Sequence, residues 1–193
     1  LVRVNPNKAA EVRIQEGLIP AIRESGDRRQ LSAFLTARHN IDVADALGNP
    51  ARVFSGNKTR AEFVQMLQDQ EARLGVAAFG KVWQAAKDVD TFVDSLRQRL
   101  VDSGVWSEDL ADTLRAKYPH YVPTKILDYM DQGEGAIPPG RKIGLSDQGL
   151  KRFTEEGTAR EREDPLASVV RMAYEVEKRV GKNDAFNAFV KLR

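Results

Sequence analysis

The sequence predicts an all-α protein: a multi-helix bundle with one long central helix and a Gly/Pro-rich hinge before the C-terminal helices. Three observations support this fold class. Apolar residues recur every three or four positions along most of the chain, which is the spacing of one helix face. Strand-like alternation is nearly absent. Glycine, proline and capping residues interrupt the helical pattern at a few sharply defined places.

The composition describes a well-solvated protein with a substantial core. Its 193 residues are 41% hydrophobic and 30% charged, and 30 basic against 28 acidic residues give a net charge of +2. This balance does not demand nucleic acid or a membrane surface as a partner, and no apolar run approaches the roughly 20 residues that span a bilayer. The absence of cysteine excludes disulfides, thiolate metal ligands and a cysteine nucleophile. It fits a reducing compartment, so we expect a cytoplasmic location.

The first helix is expected to begin at a cap within residues 5–7 and to turn Val12, Leu18 and Ile22 toward the core. Pro20 should kink or divide it, because proline removes a backbone donor and crowds the preceding turn.

A second helix should begin after Gly26-Asp27 and run to about Leu47, where residues 48–50 (Gly-Asn-Pro) stop it. Its apolar side is expected to carry Leu31, Phe34, Leu35 and Ile41.

The central helices follow a loop at residues 48–58. Thr59 and Glu62 form a capping box, in which each side chain satisfies the other's backbone N–H, and this helix should reach Leu74-Gly75. The longest helix is then predicted over residues 76–103. Its apolar stripe is expected to consist of Val76, Phe79, Trp83, Ala86, Val89, Val93, Leu96 and Leu100.

A short helix is predicted after Gly104, capped by Ser107, running through Leu114 and closing at Tyr118-Pro119. Trp106, between the two helices, is expected to pack over their ends.

The C-terminal part is expected to be separate from the helical bundle of residues 1–127. Residues 128–145 are rich in glycine and proline and predict a loop or hinge. In the C-terminal helices of residues 146–193, Ser146 is a candidate cap and Pro165 a first helical residue. Gly181 should end that helix and Asn183 should open a last one.

Few residues of the sequence are candidates for ligand binding, metal binding or catalysis. His39 lies in an Arg38-His39-Asn40 cluster that could bind an anion, and the alternative is a solvated or capping histidine. Neither His39 nor His120 has a partner at the spacing of a helical metal site, so no metal or cofactor is predicted. Arg141 and Lys142 follow a Gly/Pro-rich stretch that lacks the Lys-Ser/Thr pair and the flanking strand of a phosphate loop.

The aromatic and proline-rich segment at residues 117–123 interrupts the helical pattern more sharply than any other segment. Tyr118 and Tyr121, which lie near Lys117 and Lys125, could stack nucleobases. The alternative is a corner in which the two tyrosines anchor the end of the Ser107 helix onto the central helix.

The order of several segments resembles the helical region of large polyvalent proteins of phages and other mobile genetic elements. The resemblance covers roughly residues 28–193. It is carried by LSAFLTARH at 31–39, VFSG at 53–56, LVDSGVWS at 100–107, AKYPHYVP at 116–123 and DPL at 164–166. It implies a helical region beside enzymatic domains such as peptidases, nucleic-acid enzymes or ADP-ribosyltransferases, and it transfers no catalytic residue. In the family the tyrosine-proline segment often continues into Leu/Phe-x-Arg, whereas residues 124–126 here are Thr-Lys-Ile.

The sequence therefore predicts a non-catalytic helical scaffold or interaction module within a longer phage or mobile-element protein. The chain begins at Leu1 rather than Met, so we expect a piece of that longer polypeptide. Its expected partners are other domains of the parent chain or a second copy, in the bacterial host cytoplasm or in the virion. The alternative is a nucleic-acid-binding module, suggested by the basic pairs at 141–142, 151–152 and 178–179. A third hypothesis is an enzyme with an unrecognised site around Arg38, His39 and His120.

Overall fold

The computed structural model describes residues 5–48, 57–123 and 164–190. These residues form the helices α1 (Pro6–Arg13), α2 (Ile19–Glu24), α3 (Arg28–Leu47), α4 (Arg60–Asp102), α5 (Glu108–Lys117) and α6 (Pro165–Val190). A π-helical turn, Ile14–Leu18, joins α1 to α2. The all-α prediction with a long central helix is confirmed.

The predicted kink at Pro20 takes the form of the π-helical turn directly before it. The proline ring crowds the carbonyl of residue 16, and the wider turn relieves that clash. Asn5 caps α1 by accepting a hydrogen bond from the Asn7 N–H at 3.0 Å. The prediction that Val12 faces the core is wrong, because Val12 is 44% exposed. The buried line is Ala10, Ile14 and Leu18, at intervals of four, and Val12 lies on the opposite side.

Both ends of α3 lie where the capping residues predict them. The Asp27 carboxylate accepts from the backbone N–H groups of Arg29 and Gln30 at 2.8 and 3.2 Å. Gly48 ends the helix with a φ of 64°, the left-handed conformation that glycine adopts without strain.

Helix α4 consists of two limbs that meet at Gly75, which has φ 74° and ψ 165°. The predicted end of the first limb is therefore confirmed. At its start, the Thr59 N–H donates to Glu62 Oε2 at 2.7 Å and the Glu62 N–H donates to Thr59 Oγ1 at 3.4 Å, which completes the capping box.

The buried face of the second limb differs from the predicted stripe at its beginning. Val76 is 87% exposed and Trp83, expected in the core, is 43% exposed. Trp83 follows the buried Val82, a rotation of about 100° around the helix, so its ring lies at the edge of the core and packs edge-on against Phe34 at 5.7 Å. The buried face consists of Val82, Ala85, Ala86, Val89, Phe92, Val93, Leu96 and Leu100.

Helix α5 begins and ends as predicted. Gly104 turns the chain with a φ of 73°, and the Ser107 hydroxyl caps α5 by accepting from the Leu110 N–H at 3.3 Å. Trp106 is partly buried against the core, and its backbone N–H donates to the Leu100 carbonyl at the end of α4.

Helix α6 begins at Pro165 as predicted, but it continues through Gly181 to Val190, so the predicted break there is wrong. Gly181 packs against the start of α1, because a Cβ at this position would lie 3.1 Å from Cγ of Pro6. Asn183 is not a cap, since its side-chain amide donates to the Ser103 carbonyl at 2.5 Å.

The large hydrophobic core contains buried residues of α2, α3, α4 and α6 and of the π-helical turn. A second, smaller cluster joins α3, the first limb of α4 and Tyr118. The described part of the predicted C-terminal region thus packs into the same core as the N-terminal helices. The predicted hinge at 128–145, the helix after Ser146 and the loop segment at 53–56 lie outside the described residues. Within the described ranges, no helix combines the length and the apolar composition that a membrane span requires.

Candidate functional site

The tyrosine-proline segment, residues 117–123, leaves α5 and packs across α3 and α4. Tyr118 is 3% exposed and belongs to the small hydrophobic cluster, whereas Val122 is 1% exposed and belongs to the large one. Tyr121, between them, packs against both clusters. The segment therefore links the two apolar clusters, and it is the corner that the sequence suggested.

Arg97 of α4 lies beneath this segment and is 4% exposed. Its guanidinium donates to the Tyr118 carbonyl at 3.4 Å, lies 5.0 Å from the centre of the Tyr121 ring, and is 3.9 Å from the Asp94 carboxylate. Burial lowers the pKa of Arg97, and the nearby Tyr121 and Asp94 oppose that shift. Burial also raises the pKa of the Tyr121 phenol. Both tyrosines thus contact the central helix through one arginine.

His39 is 5% exposed, so the prediction of a solvated or capping histidine is wrong at this position. Its ring packs edge-on against Tyr121 at 5.8 Å, and Nδ1 is 3.5 Å from the Val122 backbone N–H. His39 lies on the side of α3 that the tyrosine-proline segment covers, which explains why it is buried.

His120 is half-exposed and is oriented by Asp42 of α3. The Asp42 carboxylate accepts from the His120 backbone N–H at 2.8 Å, and its other oxygen lies 3.2 Å from Nδ1 of the ring. Asp42 therefore fixes both the backbone and the ring of His120 against α3.

Arg38 of α3 is paired with Asp90 of α4. One guanidinium nitrogen donates to both carboxylate oxygens at 2.7 Å, and the guanidinium carbon lies 5.1 Å from the centre of the Phe34 ring. Burial raises the pKa of Asp90, and the positive charge of Arg38 opposes this shift. Because the Arg38 guanidinium is paired with Asp90, this arginine joins α3 to α4.

The structure brings together five of the seven residues that sequence reasoning singled out: Arg38, His39, Tyr118, His120 and Tyr121. Arg141 and Lys142 lie outside the described residues. Arg38 and His120 both act electrostatically on Asp90, and His39 contacts the residue next to His120. The hypothesis of a catalytic site around the histidines stays a prediction. In the described ranges, no group of three or more metal-binding side chains is arranged around one point.

Sequence reasoning missed Asp42, Asp90 and Arg97. Two of them had a detectable signal: Asp90 and Arg97 each stand four positions after a buried residue of α4, Ala86 and Val93 respectively. A charged residue on the apolar face of a helix is expected to be paired. Asp42 carried a weaker signal, because the buried residue four positions before it, Arg38, is itself charged.

No family model, no curated protein and no solved structure matches this chain. The resemblance to polyvalent proteins therefore stays a prediction.

Proposed function

We propose that this chain is a non-catalytic helical scaffold and interaction module of a phage or mobile-element multidomain protein. The observation that carries the proposal is an exposed apolar surface on α4, which we name the α4 apolar face and define by Val76, Gly80 and Trp83. These positions are four and three residues apart, so they share one side of the helix. Val76 and Trp83 are the large exposed apolar side chains of this face, and a partner that covers them would extend it into the contiguous apolar contact typical of protein–protein sites.

Gly80 supports the same interpretation. A Cβ at this position would meet nothing within 4 Å, so packing within the described chain does not require glycine here. Glycine inside a helix costs about 1 kcal/mol relative to alanine. A flat position beside Val76 and Trp83 lets a second helix approach closely.

The scaffold role is supported by polar links between distant helices. Asp164, at the start of α6, binds the Arg28 guanidinium at 2.6 Å and the Ser32 hydroxyl at 2.7 Å, both in α3. The Arg38–Asp90 pair joins α3 to α4. Such links hold the helices in one arrangement and present the α4 apolar face at a defined angle.

Sedimentation equilibrium tests the proposal, with a second copy as the partner. We expect reversible dimerisation that Val76→Glu weakens by about tenfold or more, since it replaces a contact valine by a charge. Val12→Glu is the matched control, because Val12 is an exposed valine on α1, away from this face. A chain that stays monomeric at every concentration, or equal effects of the two substitutions, would contradict the proposal.

Nucleic-acid binding is the second candidate, and one observation favours it. Lys178, Arg179 and Lys182 are exposed within one stretch of α6, although Lys178 is 3.3 Å from Glu175. If this stretch binds phosphates, fluorescence anisotropy with a short DNA duplex should show affinity that falls steeply between about 50 and 200 mM salt. Arg179→Glu should weaken that binding more than Arg29→Glu, which reverses an exposed charge on α3.

A further inference from the structure

A cleft of about 220 Å³ lies between α3 and the first limb of α4. Its apolar lining is formed by Ala33 and Ala37, one turn apart on α3, and by Met66 and Leu67 on α4. The two small alanines leave the space that a larger side chain would fill. Since an apolar cavity of about 150 Å³ admits a benzene molecule, this cleft has room for one leucine- or phenylalanine-sized side chain.

Gln70 places a hydrogen-bond acceptor at this cleft. The side chain is 5% exposed, and its amide nitrogen donates to the Gln30 backbone carbonyl at 2.8 Å and to Gln30 Oε1 at 3.0 Å. Both amide protons are therefore used. The Gln70 amide oxygen makes no hydrogen bond within residues 5–48, 57–123 and 164–190, so it is available to an N–H donor from a ligand.

Arg73 places a cation on the rim. One of its nitrogens donates to Gln30 Oε1 at 2.7 Å, and no carboxylate of the described ranges lies within ion-pairing distance of its guanidinium. Asp69 is also on the rim, where its carboxylate accepts from Gln65 at 2.8 Å. The guanidinium thus keeps donors for a carboxylate brought by a ligand.

We propose that this cleft binds the C-terminal residue of a polypeptide partner with an apolar side chain. The three groups of such a residue match the three features of the cleft: the side chain enters the apolar space, the amide N–H donates to Gln70 Oε1, and the terminal carboxylate pairs with Arg73. The inference rests on the proposed role as an interaction module, and it assigns that role a specific ligand chemistry.

The test is an NMR titration of the whole ¹⁵N-labelled chain with N-acetyl-leucine, which carries the same three groups, and with N-acetyl-leucinamide, which lacks the carboxylate. The side-chain amide signals of Gln30 and Gln70 report directly on the cleft. We expect saturable shifts of both signals, with N-acetyl-leucine binding about threefold to fivefold tighter, the range for one exposed ion pair.

Two substitutions separate the contributions. Arg73→Gln should abolish the preference for the carboxylate while N-acetyl-leucinamide binding is unchanged, and Arg29→Gln, an exposed arginine outside the cleft, should leave the preference intact. Ala33→Leu should fill the apolar space and weaken both probes at least tenfold. Because Ala33 is exposed on a helix, we expect this variant to fold.

The inference is overturned if neither glutamine signal shifts saturably in the folded chain, or if Arg73→Gln leaves the carboxylate preference unchanged. Dimerisation through the α4 apolar face is measured separately with Val76→Glu. Probe failure with intact dimerisation therefore refutes only the cleft, whereas loss of dimerisation with intact probe binding refutes only the α4 apolar face.

Discussion

The Oε1 atom of Glu177 in α6 lies 2.6 Å from Nε of Arg13 in α1, 164 residues earlier in the chain. The same oxygen is 3.4 Å from Nε of Arg99 in α4. The glutamate is 4% exposed, whereas its two arginines are 37% and 35% exposed. One buried carboxylate therefore holds three helices together.

Glu177→Gln should lower the free energy of unfolding by about 2 kcal/mol, because it removes charge-assisted hydrogen bonds from a buried group while keeping its size. Urea unfolding followed by circular dichroism measures this. Glu175→Gln, which removes an exposed carboxylate paired with Lys178, should cost less than about 0.5 kcal/mol. Equal losses in the two variants would show that Glu177 has no special role.

Asp90→Asn should cost about 3 kcal/mol, since it leaves the buried Arg38 guanidinium without its counter-ion. Adding Arg38→Met removes the charge that lacks a partner, so the double variant should be more stable than Asp90→Asn alone. A double-mutant cycle measured by urea unfolding gives the coupling between the two sites. Strictly additive losses would argue against the pair as a structural link.

Three helical glycines should respond differently to alanine. A Cβ at Gly17 would lie 2.6 Å from Cδ2 of Phe92, so Gly17→Ala should destabilise the protein by about 1–3 kcal/mol. Gly181→Ala should cost less, since its nearest atom is 3.1 Å away. Gly80→Ala should stabilise the monomer by about 0.5–1 kcal/mol, because nothing lies in its way. Thermal unfolding of the three variants ranks them, and a stabilising Gly17→Ala would contradict the packing described for the π-helical turn.

The capping box predicts a pH dependence. Hydrogen bonds from the Thr59 backbone N–H and hydroxyl lower the pKa of Glu62 below its ordinary value. A carboxylate with a depressed folded-state pKa adds stability above its unfolded pKa, about 4.3, and loses it as pH falls through the folded pKa. The difference in urea midpoint between the wild type and Glu62→Gln should therefore be largest near neutral pH and shrink below about pH 4. A difference that is constant with pH would mean that the carboxylate charge does not contribute.

Much of the helical layout could be read from the sequence because helix ends are decided locally. Asp27, Thr59, Ser107 and Pro165 act on backbone groups within four residues of themselves. The same holds for Gly75, whose positive φ divides α4. Such signals do not depend on what the helix later packs against.

The features that the sequence did not predict depend on distant partners. Gly181 was predicted to end a helix, but its role is to make room for Pro6 of α1. Trp83 was predicted to be a core residue, but the buried face of α4 passes through its neighbour Val82. Asp42 is connected to His120 only because the tyrosine-proline segment folds back onto α3. His39 lies on α3 and His120 lies on that segment, so the two candidate histidines come together only when the segment folds back.

The placement of α6 has a consequence for how the chain folds during synthesis. Leu166, Val169 and Ala173 belong to the same core as Leu18 and Leu31, and the polar links of α6 join residues 132 and 164 positions apart. The N-terminal helices therefore emerge from the ribosome with an uncovered apolar surface, and they keep it until α6 has been made. Contacts between residues so far apart in the sequence slow the final step of folding. A chain that folds in this order exposes its unfinished core to chaperones and to neighbouring chains until α6 emerges.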